Sequence, residues 1–153
     1  MVKKSFSKEW LVLLSIVPLI FSFRPRSFIA HDEGYYILQA RAILDSGNWL
    51  APMSWGAPVF DRTIGVQWMI ASSQKIFGYT PWSSHLPSLI FGLTSLCLTY
   101  LLSKRYFGVQ VASISAGILF LSPIFLDHIH LATQDMPLLA IELVGIYSIA
   151  NAW

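Results

Sequence analysis

The sequence predicts an all-α polytopic membrane protein with about four transmembrane helices and two short interfacial helices. Of its 153 residues, 55% are hydrophobic and only 12% are charged, whereas a soluble domain carries about 25% charged residues. Three stretches reach the roughly 20 apolar residues that a bilayer crossing requires. The net charge of +2 comes from scattered basic residues and does not predict a nucleic-acid surface. A single cysteine, Cys97, excludes an intrachain disulfide framework.

The first predicted span, 6–23, has the features of an uncleaved anchor. Its strictly apolar part begins at Trp10 and follows three lysines, as the apolar region of a signal peptide follows its basic region. However, Arg24 and Arg26 come directly after it, and no small-residue cleavage site stands at its end. We therefore interpret 6–23 as a retained transmembrane helix.

Three further spans are predicted at 81–102, 107–126 and 136–153. The first of these follows Thr80-Pro81, a helix N-cap residue followed by proline at the first helical position. With the anchor, they make up a four-span membrane domain.

Residues 24–80 combine prolines, glycines and charged residues with three tryptophans, and they are predicted to form an interfacial loop. From Gly34 to Ser46, apolar residues recur with helical spacing (Tyr36, Ala40, Ile43, Leu44). A looser pattern runs from Ile64 to Phe77 (Ile64, Trp68, Ala71, Ile76). Tryptophan-bearing amphipathic helices beside a span tend to lie in the membrane interface. No strand is predicted.

The basic residues predict the orientation in the inner or plasma membrane. Three lysines lie within the first eight positions, and Lys104 and Arg105 lie between the second and third spans, so both segments are expected in the cytoplasm. Four spans then place 24–80 and 127–135 together on the outer side. These two segments hold most of the acidic residues (Asp32, Glu33, Asp45, Asp61, Asp127, Asp135).

Two acidic clusters are candidates for chemistry. Asp32-Glu33 could supply a general base, because partial desolvation raises a carboxylate pKa toward neutrality. The alternative is that Asp32 only caps the following helix. Asp135, which follows His128 and His130 in the second outer segment, has the same alternative as the cap of the last span.

Arg62 offers a bidentate fork for a phosphate or a carboxylate. The alternatives are a surface pair with Asp61 or snorkelling to a lipid phosphate. The spacing of His128 and His130 matches no metal motif, so we expect no metal or other cofactor, with a divalent cation at these histidines as the alternative. Glu142, in the last span, is a functional candidate because a charge there is costly, but we prefer the interpretation that it lies at the interface or is protonated.

The order of several short motifs resembles the first outer loop of a GT-C membrane glycosyltransferase. They are similar to the bacterial branch of the dolichyl-phosphate-mannose–protein mannosyltransferase family, which includes the aminoarabinose transferases acting on lipid A. The resemblance runs from Asp32 to the end of the chain and implies a partial GT-C fold. The motifs are Asp32-Glu33-Gly34-Tyr35-Tyr36, Asn48-Trp49-Leu50-Ala51-Pro52, Pro58-Val59-Phe60-Asp61-Arg62, Gln67-Trp68, Ile76-Phe77-Gly78, His85-Leu86-Pro87-Ser88, Arg105-Tyr106-Phe107-Gly108 and Thr133-Gln134-Asp135.

The resemblance implies an inverting transfer of a sugar from a polyprenyl-phosphate donor to a glycan, lipid or protein acceptor on the outer face. Asp32 matches the aspartate proposed as the base in this family, with Glu33 beside it. Asp135 matches the acidic residue of the second outer loop, which helps to shape the site. All three are therefore expected to be catalytic.

The resemblance also implies a set of substrate-binding residues. Arg62, next to Asp61, stands where the family has a lysine near the phosphate of the sugar donor, although the two prolines that usually follow are absent. His85 and His130 stand where the family usually has arginines. We expect these four residues to bind substrate.

Members of this family have many more spans, so we expect this chain to be a fragment with little activity alone, or to need a second chain to complete its fold. The alternative is a non-catalytic small membrane protein, either a partner subunit or the remnant of a truncated gene. A transporter would carry inward-facing polar residues in its spans. Here the polar residues gather in the outer segments, which favours interfacial chemistry with membrane lipids as partners.

Overall fold

The computed structural model describes residues 32–51, 53–54, 56–59 and 62–152, and the predicted first span lies outside them. Helices dominate this part of the chain, as the sequence predicts. The elements are α1 (Asp32–Ser46), β1 (Met53–Ser54), β2 (Ala57–Pro58), α2 (Gly65–Phe77), α3 (Pro81–Leu121), α4 (Pro123–His128) and α5 (Asp135–Ala152).

Helix α1 buries most of the face that its sequence predicts, although Leu44 is only half-buried and Gln39, outside the predicted stripe, is enclosed. Tyr36, Ala40 and Ile43 are fully enclosed, and they form one hydrophobic core with residues of α2 and with Ala132. The two acidic residues of the first turn, Asp32 and Glu33, suit the positive end of the helix dipole. Helix α1 therefore serves as a rigid support for the side chains at its N-terminus.

The predicted apolar stripe of α2 is wrong at two positions. Trp68 is 39% exposed and Ile76 is 72% exposed. The buried face carries polar residues together with apolar ones (Val66, Gln67, Ile70, Ala71, Ser73, Gln74). A helix beside lipid can be apolar on both sides, so the spacing of its apolar residues does not identify the face that packs against protein.

Hydrogen bonds between polar side chains join α2 to its neighbours. The amides of Gln39 and Gln67 contact each other at 2.7 Å between α1 and α2. The Gln74 side chain donates to the Ser84 hydroxyl of α3 over 2.9 Å. Because these groups are buried, each bond offsets the cost of removing polar atoms from water.

Helix α3 begins as predicted. The Thr80 hydroxyl accepts a hydrogen bond from the Ser83 backbone N–H at 3.1 Å, and the Thr80 N–H donates to the Ser83 hydroxyl at 3.2 Å. These reciprocal bonds form a capping box, with Pro81 in the first turn. Gly108, with φ 84° and ψ 173°, interrupts the helical backbone, and glycine adopts this conformation without the steric cost that a Cβ would bring.

Among the described residues, two helices are long and apolar enough to cross a membrane, α3 and α5. The break at Gly108 divides α3 into two rods. The second rod ends at Leu121, and α4 follows after the extended residue Ser122.

A second core packs α3, α4 and α5 together around four buried residues (Leu89, Phe125, Ile129, Met136). Gly92 permits this packing, because a Cβ at its position would overlap the side chain of Ile129. The close approach holds the segment 129–134 against α3, near the N-terminus of α1.

The two strands of the structure were not predicted from the sequence. Strands β1 and β2 form a two-residue antiparallel ladder that pairs Met53 with Pro58 and Ser54 with Ala57, with Gly56 at φ 82° between them. Strands of two residues are too short to produce a detectable alternation of apolar and polar positions.

Candidate functional site

Glu33 is a buried carboxylate that joins three separate parts of the chain. Its side chain is 1% exposed, and its Oε1 contacts His85 Nε2 in the first turns of α3. The same oxygen accepts a hydrogen bond from the Ala132 backbone N–H at 3.1 Å. A buried carboxylate is tolerated only when polar partners replace water. This contact therefore holds α1, α3 and the segment 129–134 in one arrangement.

Asp32 faces outward from the same helical turn. Its side chain is 72% exposed, and its Oδ1 lies 3.2 Å from Arg62 Nη2. Successive residues of a helix project roughly 100° apart, so a buried Glu33 directs its neighbour toward the surface. The pair brings together two residues that the sequence places 30 positions apart.

Two tyrosine rings flank the Arg62 guanidinium. Its central carbon lies 5.3 Å from the Tyr35 ring centroid and 5.1 Å from that of Tyr36, within the range of cation–π attraction. The neighbouring Tyr36 side chain and, after it, the Asp32 carboxylate raise the pKa of Arg62 above its ordinary value. The guanidinium is therefore a fixed positive charge in a partly exposed position.

Asp135 is the first residue of α5, two residues after Thr133. Its Oδ2 accepts a hydrogen bond from the Thr133 hydroxyl at 2.6 Å and lies 3.9 Å from His128 Nε2. His128 in turn contacts the Ile124 carbonyl oxygen through Nδ1 at 2.8 Å. The carboxylate and the imidazole thus meet where the two ends of the segment 129–134 come together, with His128 before it and Asp135 after it.

The other predicted site residues differ in position. His85 is buried against Glu33, and His130 is partly buried in the turn after α4. Asp61 lies outside the described residues. Glu142 is exposed on α5. Within the described ranges, no group of three or more His, Cys, Asp or Glu side chains could hold a metal ion.

Several contacts of the site were not predicted. Sequence reasoning selected the carboxylates but missed the Ala132 N–H, the Thr133 hydroxyl and the tyrosine rings that flank Arg62. The two consecutive tyrosines, separated from the acidic pair by one glycine, were the available signal, since aromatic faces commonly support arginine. No sequence pattern marks a backbone N–H as a partner 99 positions away.

The sequence also matches a known family. Residues 61–153 match the dolichyl-phosphate-mannose-protein mannosyltransferase family. The chain belongs to this family. The match confirms the resemblance inferred from the motifs and supports a membrane protein of GT-C type.

Individual relatives of this mannosyltransferase-family chain are arabinosyl transferases. The undecaprenyl phosphate-alpha-4-amino-4-deoxy-L-arabinose arabinosyl transferase 1 of Pseudomonas fluorescens (strain Pf0-1) is 34% identical over 91 residues, or 60% of this chain and 16% of that protein. The corresponding transferase of Wigglesworthia glossinidia brevipalpis is 27% identical over 143 residues, covering 94% of this chain and 22% of that protein. The chain thus spans about a fifth of the length of these relatives.

Solved structures share the fold. ArnT from Cupriavidus metallidurans bound to undecaprenyl phosphate superimposes with a TM-score of 0.81 at 24% identity, over 90% of this chain and 26% of that one. The apo state of the same protein gives a TM-score of 0.80 at 25% identity, over 88% of this chain and 26% of that one. The helices of this family member therefore adopt the arrangement found in that part of ArnT.

The buried contact of Glu33 makes a prediction about stability. The change Glu33→Gln keeps the shape of the side chain but removes the charge that faces His85 and the Ala132 N–H. We expect the free energy of unfolding to fall by about 1–3 kcal/mol, the usual cost of weakening a buried charged hydrogen bond. The measurement is the thermal denaturation midpoint of the purified protein in detergent.

The matched control for this prediction is Asp45→Asn, at an exposed acidic residue on the same helix. Its effect should stay within about 0.5 kcal/mol. Equal losses for the two variants would show that Glu33 does not hold the three segments together.

Proposed function

We propose that the chain forms part of a membrane glycosyltransferase that transfers a sugar from a polyprenyl-phosphate donor to an acceptor on the outer side of the membrane. The carrying observation is the Asp32–Arg62 pair, which places a carboxylate and a fixed cation 3.2 Å apart on an exposed surface. The names of the relatives support an undecaprenyl-phosphate-linked aminoarabinose as the sugar donor.

In the proposed reaction, Asp32 accepts the proton of the acceptor hydroxyl. The hydroxyl oxygen forms a bond to the anomeric carbon as the bond from that carbon to the phosphate oxygen breaks. The electron pair leaves with the lipid phosphate, and Arg62 stabilises the charge that develops there. A single displacement of this kind inverts the anomeric configuration.

The remaining residues have supporting roles in the proposal. Glu33 positions the first turn of α1, and His85 acts through Glu33 as a positioning residue. Asp135 shapes the acceptor side of the site from the start of α5. Contacts of Asp61 and His130 with substrate stay predictions.

The first test concerns the base. This test and the next use the complete enzyme of which the chain is proposed to form a part. In it, Asp32→Asn should lower the turnover number by about 10²–10⁴-fold, because the amide cannot accept the hydroxyl proton. The assay follows release of undecaprenyl phosphate from the undecaprenyl-phosphate-linked aminoarabinose in membranes supplied with lipid A. Asp45→Asn is the control and should transfer sugar normally, with both variants inserted at normal levels. Retained turnover in Asp32→Asn would remove Asp32 from the mechanism.

The second test concerns the phosphate contact. Arg62→Gln should reduce kcat/KM for the sugar donor by about 10- to 100-fold, the effect of losing one charge-assisted hydrogen bond. Arg41→Gln is a matched control, because Arg41 also pairs with an aspartate, Asp45, and stacks on a tyrosine, Tyr79. If the two arginine variants use the sugar donor equally well, Arg62 is only part of a surface ion pair.

The proposal includes a topology of four spans, 6–23, 81–102, 107–126 and 136–153, with α1 and α2 in the outer interface. It predicts that positions 32 and 135 are both accessible from outside. Asp32→Cys and Asp135→Cys, each in a Cys97→Ser background, should react with a membrane-impermeant thiol reagent added to intact cells. Labelling of the two positions from opposite faces would contradict a single shared site.

A further inference from the structure

Arg62 contacts the residue proposed as the base while standing where the lipid phosphate is expected. Its Nη2 lies 3.2 Å from Asp32 Oδ1. A carboxylate oxygen that accepts a hydrogen bond from arginine has less capacity to accept the proton of the acceptor hydroxyl. A guanidinium that binds a carboxylate likewise has fewer N–H groups for a phosphate. As long as Arg62 and Asp32 are paired, neither residue can fully perform its proposed role.

The geometry allows Arg62 to change partners without leaving its place. Tyr36, which lies beside the guanidinium, is fully buried in the core shared by α1 and α2. Its ring is therefore a fixed support that does not depend on the carboxylate. The side chains of Arg62 and Asp32 are 34% and 72% exposed, so a phosphate group can reach the pair from solvent.

The energetics favour the exchange. An exposed ion pair contributes little, because water screens it and two side chains lose freedom. A phosphate group carries several acceptor oxygens and suits the planar fork of arginine. Glu33 differs in this respect, because its carboxylate is enclosed by His85 and the Ala132 N–H. The exposed Asp32 carboxylate can therefore lose its arginine partner at little cost in free energy.

We propose that binding of the lipid phosphate draws Arg62 away from Asp32, so that one guanidinium couples occupancy of the sugar-donor site to release of the base. This inference rests on the proposed function and adds its regulation. In this exchange no covalent bond forms or breaks and no proton is transferred. Asp32 becomes available for the acceptor hydroxyl only when a sugar donor is bound, and it is paired again after the lipid phosphate leaves.

The exchange predicts that removing the base strengthens phosphate binding. The measurement is the Kd for undecaprenyl phosphate of the complete enzyme that contains this chain, purified in detergent, and it needs no turnover. Asp32→Asn should lower the Kd by about two- to fivefold, because Arg62 no longer has to leave a charged partner. Arg62→Gln should raise the Kd by about 10- to 100-fold. Asp45→Asn removes an acidic residue that is paired with another arginine, and it should leave the Kd unchanged.

The double variant Asp32→Asn with Arg62→Gln separates exchange from simple charge repulsion. If the gain depends on a released Arg62, the double variant should bind like Arg62→Gln alone. If Asp32→Asn improves binding equally in both backgrounds, the aspartate only repels the phosphate and the exchange is wrong. Asp32→Ala serves as a second variant, and elution of each protein as a single species in gel filtration verifies that it is folded.

The outcomes distinguish the exchange from the proposed function beneath it. An unchanged Kd in both Asp32→Asn and Asp32→Ala, together with weak binding by Arg62→Gln, would overturn the exchange and leave the phosphate role of Arg62 standing. An unchanged Kd in Arg62→Gln would overturn both. Tighter binding by the Asp32 variants that disappears in the double variant supports the exchange.

Discussion

The arrangement of this site depends on the protein groups that take the place of water around one buried carboxylate. Glu33 has almost no contact with water, so its charge must be met by protein groups, and His85 and the Ala132 N–H meet it. These partners lie 52 and 99 positions further along the chain. Satisfying one side chain therefore brings the start of α1, the start of α3 and the segment before α5 to one place.

The same constraint separates the two members of the acidic pair. Because helical neighbours project in different directions, the burial of Glu33 leaves Asp32 on the surface, within reach of Arg62. One residue of the pair then organises the fold, and its neighbour is open to solvent. Tyr36 connects the core to the surface pair, because its ring is packed in the core and also lies beside the Arg62 guanidinium.

The packing has the polarity expected of helices beside lipid. Buried positions include glutamines and serines that bond between α1, α2 and α3, while many large apolar side chains are exposed on α3 and α5. Polar contacts between buried side chains stabilise specific helix pairs, because each bond replaces the water that the groups lose on burial. The interior therefore depends on side-chain hydrogen bonds such as those of Gln67 and Gln74 as well as on apolar packing.

The sequence by itself determined the membrane class, the approximate limits of α1 and α2, the capped start of α3 and the family. These features depend on composition, local spacing and short motifs, which are all readable along the chain. Only the tertiary structure decided which acid of the Asp32-Glu33 pair is buried, which face of α2 packs, and that Arg62 contacts Asp32. Those outcomes depend on contacts between groups that are far apart in the chain. In a helix with apolar residues on both faces, local periodicity does not show which face packs against protein.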